Sequence, residues 1–311
     1  ETPTQAPLLP EDIEMRLQQL FLSLDPQEIA DSLAEVASQL PAAPVEEFVD
    51  RITFAFASEH PVSAPLVVEN NPREWVLRAR IQAALNNNSA RIKSLRQSLL
   101  PLSKSSVLED NVAAYDVARD LYETGNIEEQ LSRQWIANQF GVRNALRINS
   151  GSKISMLVKD QVWGCDLFFL RPEGRAWMAS TFGRDANRGD WVRSHIVDGN
   201  GLDRVYQSER FFMLKDPRPW GYRVPVENGR YRVSLHFAEI YPGHAFAPNR
   251  KISMWLEEQA VATEFDPFGE SGWAAASIKV AETDVTDEWL DIRLDSEFQD
   301  VKISGIEIEQ R

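Results

Sequence analysis

The feature that most constrains the fold is a change of hydrophobic period near Gly141. Before it, apolar residues recur every three or four positions; after it, they alternate with polar ones. The first pattern lays apolar groups along one stripe of a helix, the second along one face of a strand. Two such blocks in one chain predict a multidomain protein, an N-terminal helical bundle followed by an antiparallel β-sandwich.

The helical block is expected over residues 11–145, after a Pro/Thr tract at 1–10 that reads as the end of a linker in a processed or trimmed protein. Ile13, Leu17, Leu20, Phe21 and Leu24 repeat at helical spacing. Asp25-Pro26-Gln27-Glu28 joins a capping box to a proline at the first helical position. It opens a helix with Ile29, Leu33, Val36 and Leu40 inward, and a third carries Phe48, Ile52 and Phe56. His60–Asn71 reads as a connector. Pro72 opens a helix through Trp75, Ile81 and Leu85, interrupted at Asn86–Ser89 and continued by Ile92, Leu95 and Leu99. Leu108, Val112, Tyr115 and Leu121 mark the next, which Gly125 ends. Asn126 with Glu129 is expected to cap another, carrying Leu131 and Trp135 and ending at Gly141. This block is expected to hold an independent core that includes Trp75, Leu121 and Trp135. It carries no chemical motif, so a protein partner is its expected ligand.

A boundary is expected at 141–150, and residues 147–311 read as the sandwich. Short alternating runs bounded by turn residues fall at Lys153–Val158, Leu167–Leu170, Tyr231–Ala238, Lys251–Leu256, Ala275–Val280, Trp289–Leu294 and Val301–Ile308. Within Val205–Tyr241, a run at Tyr222–Val226 precedes Glu227-Asn228-Gly229 and then Tyr231–Ala238. Asn-Gly suits the positive φ angles of a tight turn, so the two runs are expected to form a hairpin. Tyr231, Val233, Leu235 and Phe237 would share its buried face.

The chain has 311 residues, 43% of them hydrophobic, with nine tryptophans, which is enough for real cores. A net charge of −14 argues against nucleic acid, whose backbone is met by clustered Lys and Arg. No apolar run approaches the roughly 20 residues of a membrane span. The single cysteine, Cys165, excludes an intramolecular disulfide and says nothing about compartment, because a domain of this size needs no staple. Asn87-Asn88-Ser89 is the lone glycosylation sequon, a match that chance supplies at this length.

Arg147-Ile148-Asn149-Ser150-Gly151, Trp163 with Asp166, Tyr206-Gln207-Ser208-Glu209-Arg210, Gly221-Tyr222 to Pro225 with Gly229-Arg230-Tyr231, Leu235-His236-Phe237-Ala238-Glu239-Ile240-Tyr241, Phe265-Asp266 and Ile303-Ser304-Gly305-Ile306-Glu307-Ile308 stand in one order. This ordered set resembles the malectin-type domain, a jelly-roll-like β-sandwich that binds carbohydrate. In malectin, aromatics on loops at one end stack on a glucose disaccharide and an aspartate hydrogen-bonds it. The resemblance carries these positions to Phe182, Phe211 and Tyr241, and the acid to Asp300 or its neighbour Gln299. Pro242 replaces the aromatic beside Tyr241, and His244 lies in the same loop. A phenylalanine keeps the stacking ring but lacks a phenol, and sugar hydroxyls left unpaired cost about 1–3 kcal/mol each.

Other chemistry is thin. The four histidines, His60, His195, His236 and His244, include no pair at metal-ligand spacing. His236 reads as structural and Cys165 as a small buried side chain. Asp284, Asp287 and Asp291 have calcium-like spacing without a glycine-centred loop and read as a solvated face. No metal or cofactor is expected. The implied function is non-catalytic glycan binding by a secreted or luminal glycoprotein. The alternatives are a scaffold subunit whose sugar site has degenerated and the accessory module of a larger enzyme.

Overall fold

The structure is a computed structural model. It describes residues 72–84, 88–170, 176–177 and 196–311, except 197, 215, 217, 242, 243, 245, 247 and 249. The expected linker, the first three helices and the His60–Asn71 connector lie outside the described residues.

The chain divides into two compact units, Glu1–Ser98 and Leu99–Arg311. In the first, Pro72 opens helix α1 (Pro72–Ala84), and α2 (Asn88–Lys104) begins at the expected asparagine run. Ser94 donates to Gln82 Oε1 at 2.8 Å, so the two helices share a buried polar contact.

In the second unit, α3 (Leu108–Glu123) and α4 (Glu129–Arg143) follow. Asn111 ties the segment before α3 to the end of α4: its Nδ2 donates to Ser105 O at 2.8 Å and its Oδ1 accepts from Arg143 Nε at 2.9 Å. Both expected ends of α4 are corrected. Asn126 donates to Thr124 O instead of capping, and Glu128 occupies the N-cap without a side-chain bond. Helix α4 runs through Gly141 and ends at Asn144, which takes φ 60°. Asparagine tolerates that left-handed conformation, and its N–H closes the last turn on Phe140 O at 3.0 Å.

A four-stranded antiparallel sheet has the order β1 (Leu146–Asn149), β14 (Gly305–Gln310), β8 (Gly229–Ala238) and β11 (Ala276–Val285). A six-stranded sheet has the order β10 (Gln259–Phe265), β9 (Ile252–Leu256), β12 (Trp289–Asp295), β7 (Trp220–Pro225), β4 (Phe169–Leu170) and β5 (Ala176–Trp177). Two ribbons pair β6 (Arg210–Phe212) with β13 (Val301–Ile303), and β2 (Met156–Val158) with β3 (Gln161–Trp163). The short helix α5 (Pro267–Ser271) is capped by Asp266, which accepts from Phe268 N. Tyr231, Val233, Leu235 and Phe237 of β8 are buried, and Phe237 meets Phe265 of β10 at 5.1 Å. That face is therefore the core between the sheets, an antiparallel β-sandwich.

The expected hairpin does not form. Strand β7 pairs with β12 and β4, whereas β8 pairs with β11 and β14. The chain crosses between sheets at Glu227–Asn228. Asn228 accepts from Glu288 N through its side chain at 2.8 Å, and neither Asn228 nor Gly229 has positive φ. Strand β8 is also more buried than a half-buried strand. From Val233 to Ala238 both faces are covered, the second by Trp163 and Tyr206 beside His236.

The strands begin where the period changes, yet the compact unit reaches back to Leu99. The reason is shared core. Trp135 of α4 stacks on Phe168 at 6.3 Å, Tyr122 meets Phe168 edge-on at 5.1 Å, and Phe140 reaches Tyr231 of β8 at 5.7 Å. The Tyr115 hydroxyl accepts from Arg147 N at 3.1 Å. A Cβ on Gly164 would lie 1.9 Å from the Tyr115 ring, so this close approach requires glycine. Helix α4 packs on β1 of one sheet and β7 of the other and closes the side of the sandwich. Leu121 and Trp135 are buried here, while Trp75 belongs to the other unit and is half-buried.

Candidate functional site

Residues from the ordered strings of the sequence meet in two buried polar networks. In the first, Asp166 accepts from Gly151 N at 2.7 Å, Arg210 Nε at 2.8 Å and Tyr222 OH at 2.9 Å. Ser208 donates to Asn149 Oδ1 at 2.6 Å. Gly151 has φ 79°, and a Cβ there would lie 2.1 Å from Glu209 O. These residues join β1, β7 and β6, so they serve the frame.

The second network lies where β8, β6 and β13 end together. Lys302, fully buried in β13, contacts Glu209 and lies 3.2 Å from Glu239. Arg250 Nε donates to the other Glu239 oxygen at 2.7 Å. Two carboxylates and two cations balance, which is what burial demands of ionised groups. The Lys302 ammonium and the Arg250 guanidinium, with the hydrogen bonds at its rim, outweigh desolvation and hold Glu239 below the usual carboxylate range.

The expected site residues fall around this quartet, except that Phe182 lies outside the described residues. Phe211, half-buried in β6, stands opposite Lys302 in register, so both project from one face of the ribbon. Tyr241 N donates to Glu239 Oε1 at 3.0 Å. His244 N donates to Tyr241 O at 2.9 Å, and the two rings meet edge-on at 5.1 Å. Asp300 precedes β13; its carbonyl accepts from Arg250, and its Oδ1 accepts from Leu214 N at 3.1 Å. Burial lowers the His244 pKa, as do Arg250 and Lys302, while Glu239 and Asp300 oppose them. Two rings, an imidazole and a carboxylate thus share one end. Such a set can stack on an apolar face and exchange hydrogen bonds with hydroxyls.

Sequence reasoning missed Glu239, Arg250 and Lys302. For Lys302 a signal existed: a lysine between Val301 and Ile303 in an alternating strand, where a charge is buried only when paired. Arg250 offered none.

The remaining candidates are structural. The Tyr206 hydroxyl and His236 Nδ1 share a hydrogen bond of 2.8 Å, and burial, aided by Arg147, brings the imidazole down to about 4. Burial pushes the Cys165 thiol up to about 12, which removes it as a nucleophile at neutral pH. Arg223 faces Asp287 and Asp291 at 3.9 and 3.5 Å. Among the described residues, no group of three or more His, Cys, Asp or Glu could hold a metal ion, nor is any helix long and apolar enough to cross a membrane.

Residues 172–309 match the family model of the malectin domain. A search of curated proteins gives no match. Among solved structures, a β-glucuronidase of Bacteroides uniformis is 18% identical, with a TM-score of 0.44 over 56% of this chain and 19% of that one. The ANX1 ectodomain of Arabidopsis thaliana is 13% identical, with a TM-score of 0.42 over 53% of this chain and 47% of that one. A complex of the plant peptide RALF23 with FER and LLG2 is 16% identical, with a TM-score of 0.37 over 53% and 48%. This chain therefore spans less than half of each of these proteins. The ordered strings and the family match point the same way: residues 172–309 of this two-sheet sandwich are similar to the malectin domain.

Proposed function

We propose that this malectin-like sandwich is a non-catalytic module that binds a neutral glucan or related oligosaccharide at the end carrying Phe211, Tyr241, His244 and Asp300. The observation that carries this reading is the anchoring of all four around one buried, charge-balanced quartet. Phe211 and Tyr241 supply rings for the C–H faces of the sugar; His244 and Asp300 supply polar partners for its hydroxyls. Phe182 completes the stacking set in this proposal. Exposed Leu214, Phe246 and Phe298 sit on the flanking loops, as expected of a binding rim. The module works in an extracellular or luminal setting, and the helical region, 11–145, contacts a protein partner.

A second reading has one specific observation behind it. Asp300 already uses its carbonyl on Arg250 and a carboxylate oxygen on Leu214 N, and Pro242 stands where a ring is expected. On that reading the sandwich is a scaffold of a larger assembly. A glycan array with the full chain, followed by calorimetry on each hit, separates the two. Binding that Phe211→Ala weakens supports the glycan module. An array without hits, together with a partner protein whose binding Phe211→Ala abolishes, supports the scaffold.

A further inference from the structure

We infer that Arg250 and Lys302 are positioning residues, which hold the three ring- and acid-bearing segments of the glycan end in one fixed geometry through Glu239 and Glu209. The inference deepens the function proposed above, and its first readout needs no glycan.

Each segment is tied to the quartet by a different bond. Tyr241 hangs from Glu239 through its backbone N–H at 3.0 Å. The Asp300 carbonyl accepts from Arg250, which also donates to Glu239 at 2.7 Å. Phe211 stands opposite Lys302 in the β6–β13 ribbon, and Lys302 contacts both Glu209, two residues before Phe211, and Glu239. A guanidinium offers donors in a rigid fork, so Arg250 spans a carboxylate and a carbonyl at once. An ammonium on a flexible stem keeps the charge but not that bridge. Loops alone would leave the rings to sample many placements, and a ligand that must order them binds more weakly. The quartet is buried, with side-chain exposures from 0 to 6%, so water does not compete for these bonds.

The test compares the full chain with Arg250→Lys, Lys302→Met and, as a control for a charged pair elsewhere, Arg147→Met. Arg147 pairs with Glu307 at 2.7 Å between β1 and β14, apart from the glycan end. Amide exchange followed by NMR is the first readout. In Arg250→Lys the amides of Tyr241 and Leu214, which bond Glu239 and Asp300, should exchange at least about tenfold faster, as local opening becomes easier. In Arg147→Met they should not change. The second readout is affinity for the best glucan found on the array, expected to fall about tenfold in Arg250→Lys with kon little changed, and to stay at the wild-type value in Arg147→Met. Lys302→Met is read by exchange alone if it retains its fold. Unchanged exchange at Tyr241 and Leu214 in Arg250→Lys, or an equal increase in Arg147→Met, overturns the inference. Faster exchange in a wild-type background that binds no glucan leaves the positioning intact and overturns the glycan reading instead.

Discussion

Acidification should weaken the sandwich through His236, and at lower pH also through the depressed carboxylates Glu239 and Glu270. Its imidazole is buried between Trp163 and Tyr206, and its pKa falls from 6.5 to about 4, chiefly because burial disfavours the cation. Between those values the unfolded chain takes up a proton that the folded chain refuses. Stability from this group is therefore full above about pH 6.5 and is lost as pH falls toward 4. At about 1.4 kcal/mol per pH unit the full loss is about 3 kcal/mol, with about 2 kcal/mol of it between pH 7 and pH 5. Asp116, Glu257 and Asp291 are raised by burial and act with the opposite sign, so the raw pH profile mixes effects. The difference between wild type and His236→Gln isolates the term, because glutamine can still meet Tyr206 and carries no proton to gain. Urea denaturation at several pH values gives that difference, and imidazole NMR gives the titration directly. A difference that stays flat from pH 7 to pH 5, or an imidazole titrating near 6.5, would refute the argument.

Four further outcomes are expected. A fragment starting at residue 147 should lack a cooperative thermal transition, since Trp135, Tyr115 and Tyr122 are removed from the core; restoring residues 99–146 should recover it. Trp135→Ala in the full chain should cost about 3–5 kcal/mol in urea. Phe211→Ala should cost roughly 1–2 kcal/mol of glucan binding, and Asp300→Ala about 1.5–3 kcal/mol, by calorimetry. Lys302→Met leaves Glu209 and Glu239 without their shared cation and should cost about 3–5 kcal/mol of stability. A loss under 1 kcal/mol would mean that the quartet relaxes by taking up a proton or water.

What the sequence disclosed follows from what is local. The change of period located where strands replace helices, because burial on one face is written into consecutive residues. The alternation of Tyr231, Val233, Leu235 and Phe237 identified the core face of β8 for the same reason. Partnership was not local. Asn228-Gly229 has the chemistry of a hairpin, but β7 and β8 each fit a different sheet, and the loop spends its asparagine on Glu288. The unit boundary was hidden because a helix face reads the same whether it packs on helices or on a sandwich; Trp135 and Tyr115 do the latter. At the proposed site, the rings come from resemblance alone, while Arg250 and Lys302 gain meaning only when chain segments far apart in sequence meet.

The position of β14 between β1 and β8 has a consequence for how the protein is made. Arg147 on β1 and Glu307 on β14 are 160 residues apart in the chain. At about 5–20 residues per second, the ribosome delivers the partner strand on the order of 10 s after β1 emerges. During that interval β1 and the β14-facing edge of β8 offer unpaired backbone to any neighbouring nascent chain. The helices α3 and α4 are already made by then, and Phe168, which Tyr122 and Trp135 meet, follows β1 well before β14. Codon changes that slow the synthesis of its last strands should therefore raise aggregation before they touch the stability of the finished fold.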